Sequence, residues 1–316
     1  MNENLNFHRR GELADSAFRY ATVAAGGIVL ITLGAIAITM TKRAWPAFDK
    51  MGLDFFTTSR WAPNDNVFGA KAFIFGTLMA AAIALVIAVP VSIGIALFTT
   101  QVAPTKWRRP IVYLVDLLAV VPSVVFGLWG VLVFAPSATG FYNTLHDVLG
   151  PIPGLGNLFG EASSGRNIFT AGLILSVMIT PIISSLAREV IDTCPESDRD
   201  AAFALGATRW EMIRGSVLPH AKGGLVGAVM LGLGRAMGET IAVALVIGSS
   251  ANISANLFAS GDALPAVIAN QWGEAEGNYR AALIGLAVTL FAITILINVA
   301  ANTIVSRSIV KTQGAR

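Results

Sequence analysis

Polarity changes along this chain in long blocks and not in short periods. Six blocks are apolar over about 20 residues, the length a helix needs to cross the hydrocarbon of a bilayer. They cover residues 20–40, 72–98, 111–135, 168–186, 223–250 and 281–303. Each is flanked by charged or Gly/Pro-rich sequence and is too long for an ordinary buried helix. The pattern predicts an all-α integral membrane protein, with a tail over 1–19, six transmembrane helices within 20–306 and a second tail over 307–316. Arg9 and Arg10 precede the first block as they would in a secretory leader. That block is longer than a leader's apolar segment and no small-residue cleavage site follows it, so it reads as a retained span.

Composition narrows the class. Of the residues, 54% are hydrophobic and 13% charged, with a mean hydropathy of +0.67. A soluble domain carries about a quarter charged residues, so soluble, disordered and nucleic-acid-binding classes are excluded together. The net charge of +3 is explained by placement. Arg9, Arg10, Arg19, Lys106, Arg108, Arg109, Arg188, Arg199, Arg209, Arg214, Lys222, Arg307, Lys311 and Arg316 fall on one side of the alternating spans. Lys42, Arg43, Lys50, Arg60, Lys71, Arg166 and Arg280 fall on the other. The richer side is cytoplasmic by the positive-inside rule, which puts both termini there. The single cysteine, Cys194, rules out a disulfide framework, and the few histidines carry no metal-ligand spacing.

The connecting segments differ in character. Residues 42–71, with Trp45, Trp61 and several phenylalanines, read as a helix lying at the external membrane surface. Residues 136–167 contain GPIPGLGNLFGE, a turn-rich stretch that is either a plain connection or a docking surface for an external partner. The longest cytoplasmic connection, 187–222, is a knuckle. Thr193 and Pro195 start a helix through ESDRDAAFAL, Gly206 stops it, and Thr208 to Glu211 form a capping box that opens a second short helix. Trp210, Ile213 and Val217 make one apolar stripe on that helix, and Pro219 ends it. Such a loop either packs on its own bundle or seats in a cleft of a cytoplasmic protein. The chain has no GxxxxGK[ST] phosphate loop, so ATP chemistry would belong to a partner.

One pair of charges lies inside an apolar block. Arg235 and Glu239 stand one turn apart in GLGRAMGETIAV, with Arg235 near mid-membrane. A buried arginine costs at least about 3 kcal/mol, so something must stabilise it. The two residues form either an internal ion pair or part of an anion path. In the path, the guanidinium fork matches a tetrahedral oxyanion and Glu239 keeps the site from holding it too tightly. Gly227, Gly234 and Gly238 would lower the helix profile for a neighbouring helix. Asp116 reads as an interfacial or packing residue. Pro90, Pro122 and Pro181 interrupt three spans, a feature tolerated where helices line a cavity, and Ser123, Thr180 and Ser184 would line the same cavity.

The spacing of Asp200-Ala201-Ala202, Gly206 and Leu218-Pro219 resembles the EAA loop of ABC-importer permeases, with Asp200 for the usual Glu and Ser216 for the usual Ile. This resemblance implies an ABC type I importer permease fold, in which those residues form a coupling helix seated on an ATPase subunit. LGLGRAMGETIAV, DLLAVVPSVVFGLWG, FGAKAFIFGTL and ALGATRWEMI together resemble the PstC-type permeases of bacterial high-affinity phosphate importers, from about residue 20 to the C-terminus. Lys71 departs from that family, standing where an apolar residue or proline is expected. The resemblance implies a location in the bacterial plasma membrane and a role for Arg235 and Glu239 in phosphate passage. It also implies a PstA-like second permease, two PstB-like ATPase subunits carrying ATP and Mg, and a PstS-like external phosphate-binding protein. No cofactor is expected on this chain. Permeases for sulfate, molybdate or phosphonate are the nearest rivals. An ion-driven secondary transporter would require inverted repeats, and no clear duplication is visible. An intramembrane enzyme would require a catalytic cluster at membrane depth, and His8, His146 and His220 lie outside the six blocks.

Overall fold

The computed structural model describes residues 5–153 and 156–313, with side chains described over 14–153 and 156–303. The tail cations Arg9, Arg10, Arg307, Lys311 and Arg316 lie outside the described side chains. The chain is a helical bundle, and among the described residues six helices are long and apolar enough to cross a bilayer. Its helices are α1 Leu5–Met51, α2 Asp54–Thr57, α3 Lys71–Leu97, α4 Thr105–Val120, α5 Ser123–Trp129, α6 Ala135–Leu149, α7 Ile168–Asp192, α8 Glu196–Ala204, α9 Arg209–Met212, α10 Leu218–Gly238, α11 Ile241–Val246, α12 Leu264–Gln271 and α13 Gly277–Gln313. Wider π turns at Phe98–Val102, Gly130–Phe134 and Ile213–Val217 extend α3, join α5 to α6, and join α9 to α10.

The centre of the bundle is α3 packed along α7, with α10 against α7. Ala72, Gly76, Ala80, Ala84, Ala88, Ser92 and Ala96 recur every fourth residue of α3 and are all buried. Small residues at this spacing let two backbones approach closely, which is how apolar helices gain van der Waals energy where lipid removes the hydrophobic drive. Gly172 of α7 meets this surface: a Cβ there would sit 2.5 Å from the Ile83 side chain. Ser92 donates to the Thr180 carbonyl beside Pro181, so a hydroxyl crosses the interface at the proline. Pro90 and Pro181 both remain inside their helices.

The third span departs from expectation. Val121 and Pro122 are extended and break the helix, because proline lacks the N–H and disfavours helical backbone at the residue before it. The apolar segment of spanning length is Ser123–Leu149, not 111–135, and Thr105–Val120 is a separate helix with no buried residue. His146 therefore falls inside the third long helix, where Nδ1 donates to the Phe159 carbonyl at 2.7 Å. Residues 42–71 are not a surface helix either. α1 runs on through Met51, and a short hairpin follows with Trp61 opposite Phe68 and Ala62 opposite Val67. Trp61 packs edge to face on Phe68, Phe73 and Tyr279, Phe68 stacks on Tyr279, and Gln271 accepts hydrogen bonds from Trp61 at 2.9 Å and Tyr279 at 2.7 Å. That cluster fastens the hairpin to α12 and α13, at the end of the bundle remote from α8, here the distal end.

Candidate translocation and coupling sites

At the loop end, α7 runs to Asp192, so the independent knuckle is short. Pro195 precedes α8, and Gly206 closes it with φ +82°, a left-handed conformation that glycine adopts without steric cost. The capping box is present: the Thr208 side chain accepts from the Glu211 N–H, and the Glu211 carboxylate accepts from the Thr208 N–H at 2.8 Å and hydroxyl at 2.7 Å. Pro219 does not end the second helix. It occupies the first turn of α10, and the preceding π turn absorbs its missing donor, so Arg209–Gly238 is one continuous rod. Met212, Ile213 and Val217 are buried with Cys194 and Ile191, whereas Trp210 faces out. Trp210 thus leaves the packed stripe and joins Phe203 and Leu205 as exposed apolar residues at the knuckle. Asp200 is exposed and Ala202 packs against the loop-end core.

At the distal end, span five is broken where the sequence suggests continuity. α10 stops at Gly238, Glu239 is extended with ψ 127°, and the short α11 begins two residues later. Arg235 lies in the last turn of α10, where the negative end of the helix dipole favours a cation. Glu239 lies in the break. Their side chains approach to 4.0 Å, but their surroundings differ sharply: the Arg235 side chain is 47% exposed and that of Glu239 8%. Glu239 Oε1 also accepts from the Ala242 N–H at 3.4 Å, so the carboxylate caps α11 while its other oxygen faces Arg235. It packs among Thr77, Ala80, Leu175 and Ala263. Thr77 and Leu175 lie about 10 Å inside the distal ends of α3 and α7 at 1.5 Å per residue, so the pair lies nearer the distal than the loop ends of those helices.

The glycines of α10 divide by face. Gly224 and Gly232 are packed, their absent Cβ positions lying 2.4–2.6 Å from Val190 and Ile183 of α7. Among the described residues, Gly227, Gly234 and Gly238 have no atom beyond their own helix backbone within 4 Å of those positions, and Leu231 between them is exposed. The expected close approach at the latter three is not made within the chain. Arg235 shares this open face. Thr180 donates to the Ser176 carbonyl, Ser184 to Pro181, and Ser123 opens α5; none hydrogen-bonds Arg235. Asp116 is not packed in the bundle: it lies half-exposed on α4 and accepts from Arg188 at 3.2 Å.

A backbone gap at membrane depth is tolerated where it is buried in protein or lines a cavity. An arginine beside such a gap, on an uncovered small-residue face, suits a membrane permease subunit. The sequence profile of the family described as "Binding-protein-dependent transport system inner membrane component" matches residues 88–310. The chain is 43% identical over 92% of its length to the phosphate transport system permease protein PstC of Mesorhizobium japonicum, covering 89% of that protein. It is 42% identical to PstC of Xylella fastidiosa, over 94% of this chain and 92% of that one, and 40% identical to PstC of Haemophilus influenzae, over 93% of each. The chain belongs to this PstC family of multi-pass inner membrane permeases. Among solved structures, a bacterial alginate ABC transporter chain superposes with a TM-score of 0.62 at 19% identity, over 95% of this chain and 97% of that one. A chain of the MetNI methionine ABC transporter gives 0.54 at 18% identity, over 76% and 95%. Both are ABC importer permeases in fold.

Proposed function

We propose that this chain is one half of an ATP-driven importer for inorganic phosphate. It pairs with a PstA-like second permease across the open face of α10. Two PstB-like ATPase subunits, holding ATP and Mg, seat on the Asp200–Pro219 knuckle, and a PstS-like protein delivers phosphate from outside. Both termini face the cytoplasm. The observation that carries the reading is Arg235: a guanidinium half-exposed on an uncovered face, at a helix break, with a buried carboxylate 4.0 Å away. Its planar fork suits a tetrahedral oxyanion, and Glu239 limits how tightly the anion is held. The names of the relatives supply the choice of phosphate among oxyanions.

The energetics call for coupling. Moving one negative charge inward against 100 mV, inside negative, costs about 2.3 kcal/mol, and a divalent anion costs twice that. An open channel would leak phosphate outward. In the coupled cycle the ATPases close on ATP and displace the knuckle. The rigid Arg209–Gly238 rod carries that displacement to Arg235 without a joint. The test is labelled phosphate uptake at low micromolar concentration in cells lacking this chain, with sulfate run in parallel. Phosphate uptake alone is expected to collapse and to return with the intact gene but not with Arg235→Ala. Loss of sulfate uptake instead would reassign the substrate; near-normal phosphate uptake with Arg235→Lys would remove the fork from the path.

A further inference from the structure

α4 is attached in an unusual way. It has no buried residue, and an extended segment containing a proline stands at each end, Ala103–Pro104 and Val121–Pro122. Two ion pairs join it to the loop end of α7: Arg108 Nη2 to Asp192 Oδ2 at 3.1 Å, and Arg188 Nη2 to Asp116 Oδ1 at 3.2 Å. The Arg60–Asp65 and Arg235–Glu239 pairs, by contrast, are local. Arg188 is only 15% exposed, so Asp116 neutralises a largely desolvated cation. Asp192 is the last residue of α7, where the knuckle begins, and Arg199 of α8 donates to the Ile191 carbonyl at 3.0 Å. α8, the end of α7 and α4 are therefore joined by polar contacts at one corner.

Beyond the Pro122 joint the connection continues by close packing. A Cβ on Gly127 of α5 would lie 2.9 Å from the Ala242 Cα of α11, and one on the following Gly130 would meet Val246 at 2.8 Å. Ala242 is the residue whose N–H the Glu239 carboxylate caps. A rod with hinges at both ends, held by charge and not by burial, can change register as a unit where an interdigitated helix cannot.

We propose that the Arg108–Asp192 and Asp116–Arg188 pairs latch α4 to α7 so that knuckle motion reaches the Glu239 break by a second route, through α5 and α11, independent of the α10 rod. The four residues are positioning residues for transport, and the proposal rests on the importer reading above. The experiment reconstitutes the complete transporter and measures phosphate moved per ATP hydrolysed. Asp116→Asn and Arg188→Gln are each expected to lower that ratio at least fivefold while hydrolysis continues. The charge exchange Asp116→Arg with Arg188→Asp should recover at least half of the wild-type ratio. Should the Asp116 variants assemble poorly, Arg108→Gln, from the half-exposed pair, should still lower the ratio at least twofold. Single variants with a wild-type ratio, or an exchange no better than the singles, overturn the latch while leaving the importer intact. A wild-type complex that moves no phosphate overturns both.

Discussion

The two faces of α10 carry glycines of opposite use. Toward α7, Gly224 and Gly232 exist because Val190 and Ile183 occupy the space a side chain would fill. On the other face, a Cβ on Gly227, Gly234 or Gly238 would meet no atom of another described element, and these glycines flank Leu231 and Arg235, which are exposed. The first set belongs to the folding of this subunit. The second makes sense when another surface comes to it, because a helix apolar and small on an uncovered side gains nothing alone. Spacing in the sequence does not separate the sets; only the position of α7 does.

This division is most easily broken by adding side chains. Gly232→Leu places a branched side chain where Ile183 stands 2.6 Å from the new Cβ, against a core with no room to give. The expected result is more than a tenfold loss of membrane-inserted chain, read by immunoblot and protease resistance. Gly234→Leu meets open space, so the chain should accumulate normally while co-purification with the second permease falls severalfold. Equal accumulation and equal co-purification for both variants would erase the distinction between the faces.

A smaller effect is expected at the break itself, where Glu239 has two roles to be separated. Glu239→Gln keeps an oxygen for the Ala242 N–H but removes the charge facing Arg235. Glu239→Ala removes both and leaves the N-terminal donor of α11 unsatisfied, which costs about 1–3 kcal/mol. The glutamine variant should keep wild-type thermal stability and lose uptake, with slower release of the anion from an uncompensated Arg235. The alanine variant should lose both. Equal stability in the two would remove the capping role.

The knuckle was legible because its determinants are local. Proline before α8, glycine at φ +82° and a Thr–Glu capping box act within a few residues of themselves, and each appears where its residue type stands. The six-span architecture was legible for a similar reason, since apolar length is a property of one segment. The break at Glu239 was not, and the one at Pro122 stood beside two expected interruptions that the structure does not make. Pro90, Pro122 and Pro181 look alike in the sequence, but only Pro122 breaks its helix; the other two sit in helices pressed along each other, with Ser92 bridging to Thr180. The every-fourth small-residue stripe of α3, from Ala72 to Ala96, is itself a sequence signal for the central packing. Ser123 and Thr180 stand out in the sequence as polar residues in apolar blocks, and Thr180 satisfies its hydroxyl on its own helix.

The smallest expected effect tests whether the distal end carries strain that the loop end does not. Asp262 sits in the segment between α11 and α12, buried, its backbone carbonyl pressed against Gly76 of α3, and its carboxylate accepts from the Ala263 N–H at 2.9 Å. Burial pushes its pKa up from 3.8 to about 6, and the hydrogen bond from Ala263 offsets part of that. The folded chain therefore holds this proton over a pH range in which the unfolded chain has released it. Stability contributed by Asp262 falls as pH rises from about 4 to about 6, and above that range the folded state carries a constant penalty of roughly 2–3 kcal/mol. Asp262→Asn keeps the acceptor and removes the titration. It should raise the thermal midpoint of the purified complex at pH 7.5 by a few degrees and leave it nearly unchanged at pH 4.5. A variant that gains equally at both values would show that Asp262 is accommodated without electrostatic cost. The cost of buried charge at the distal end would then rest on the Arg235–Glu239 pair.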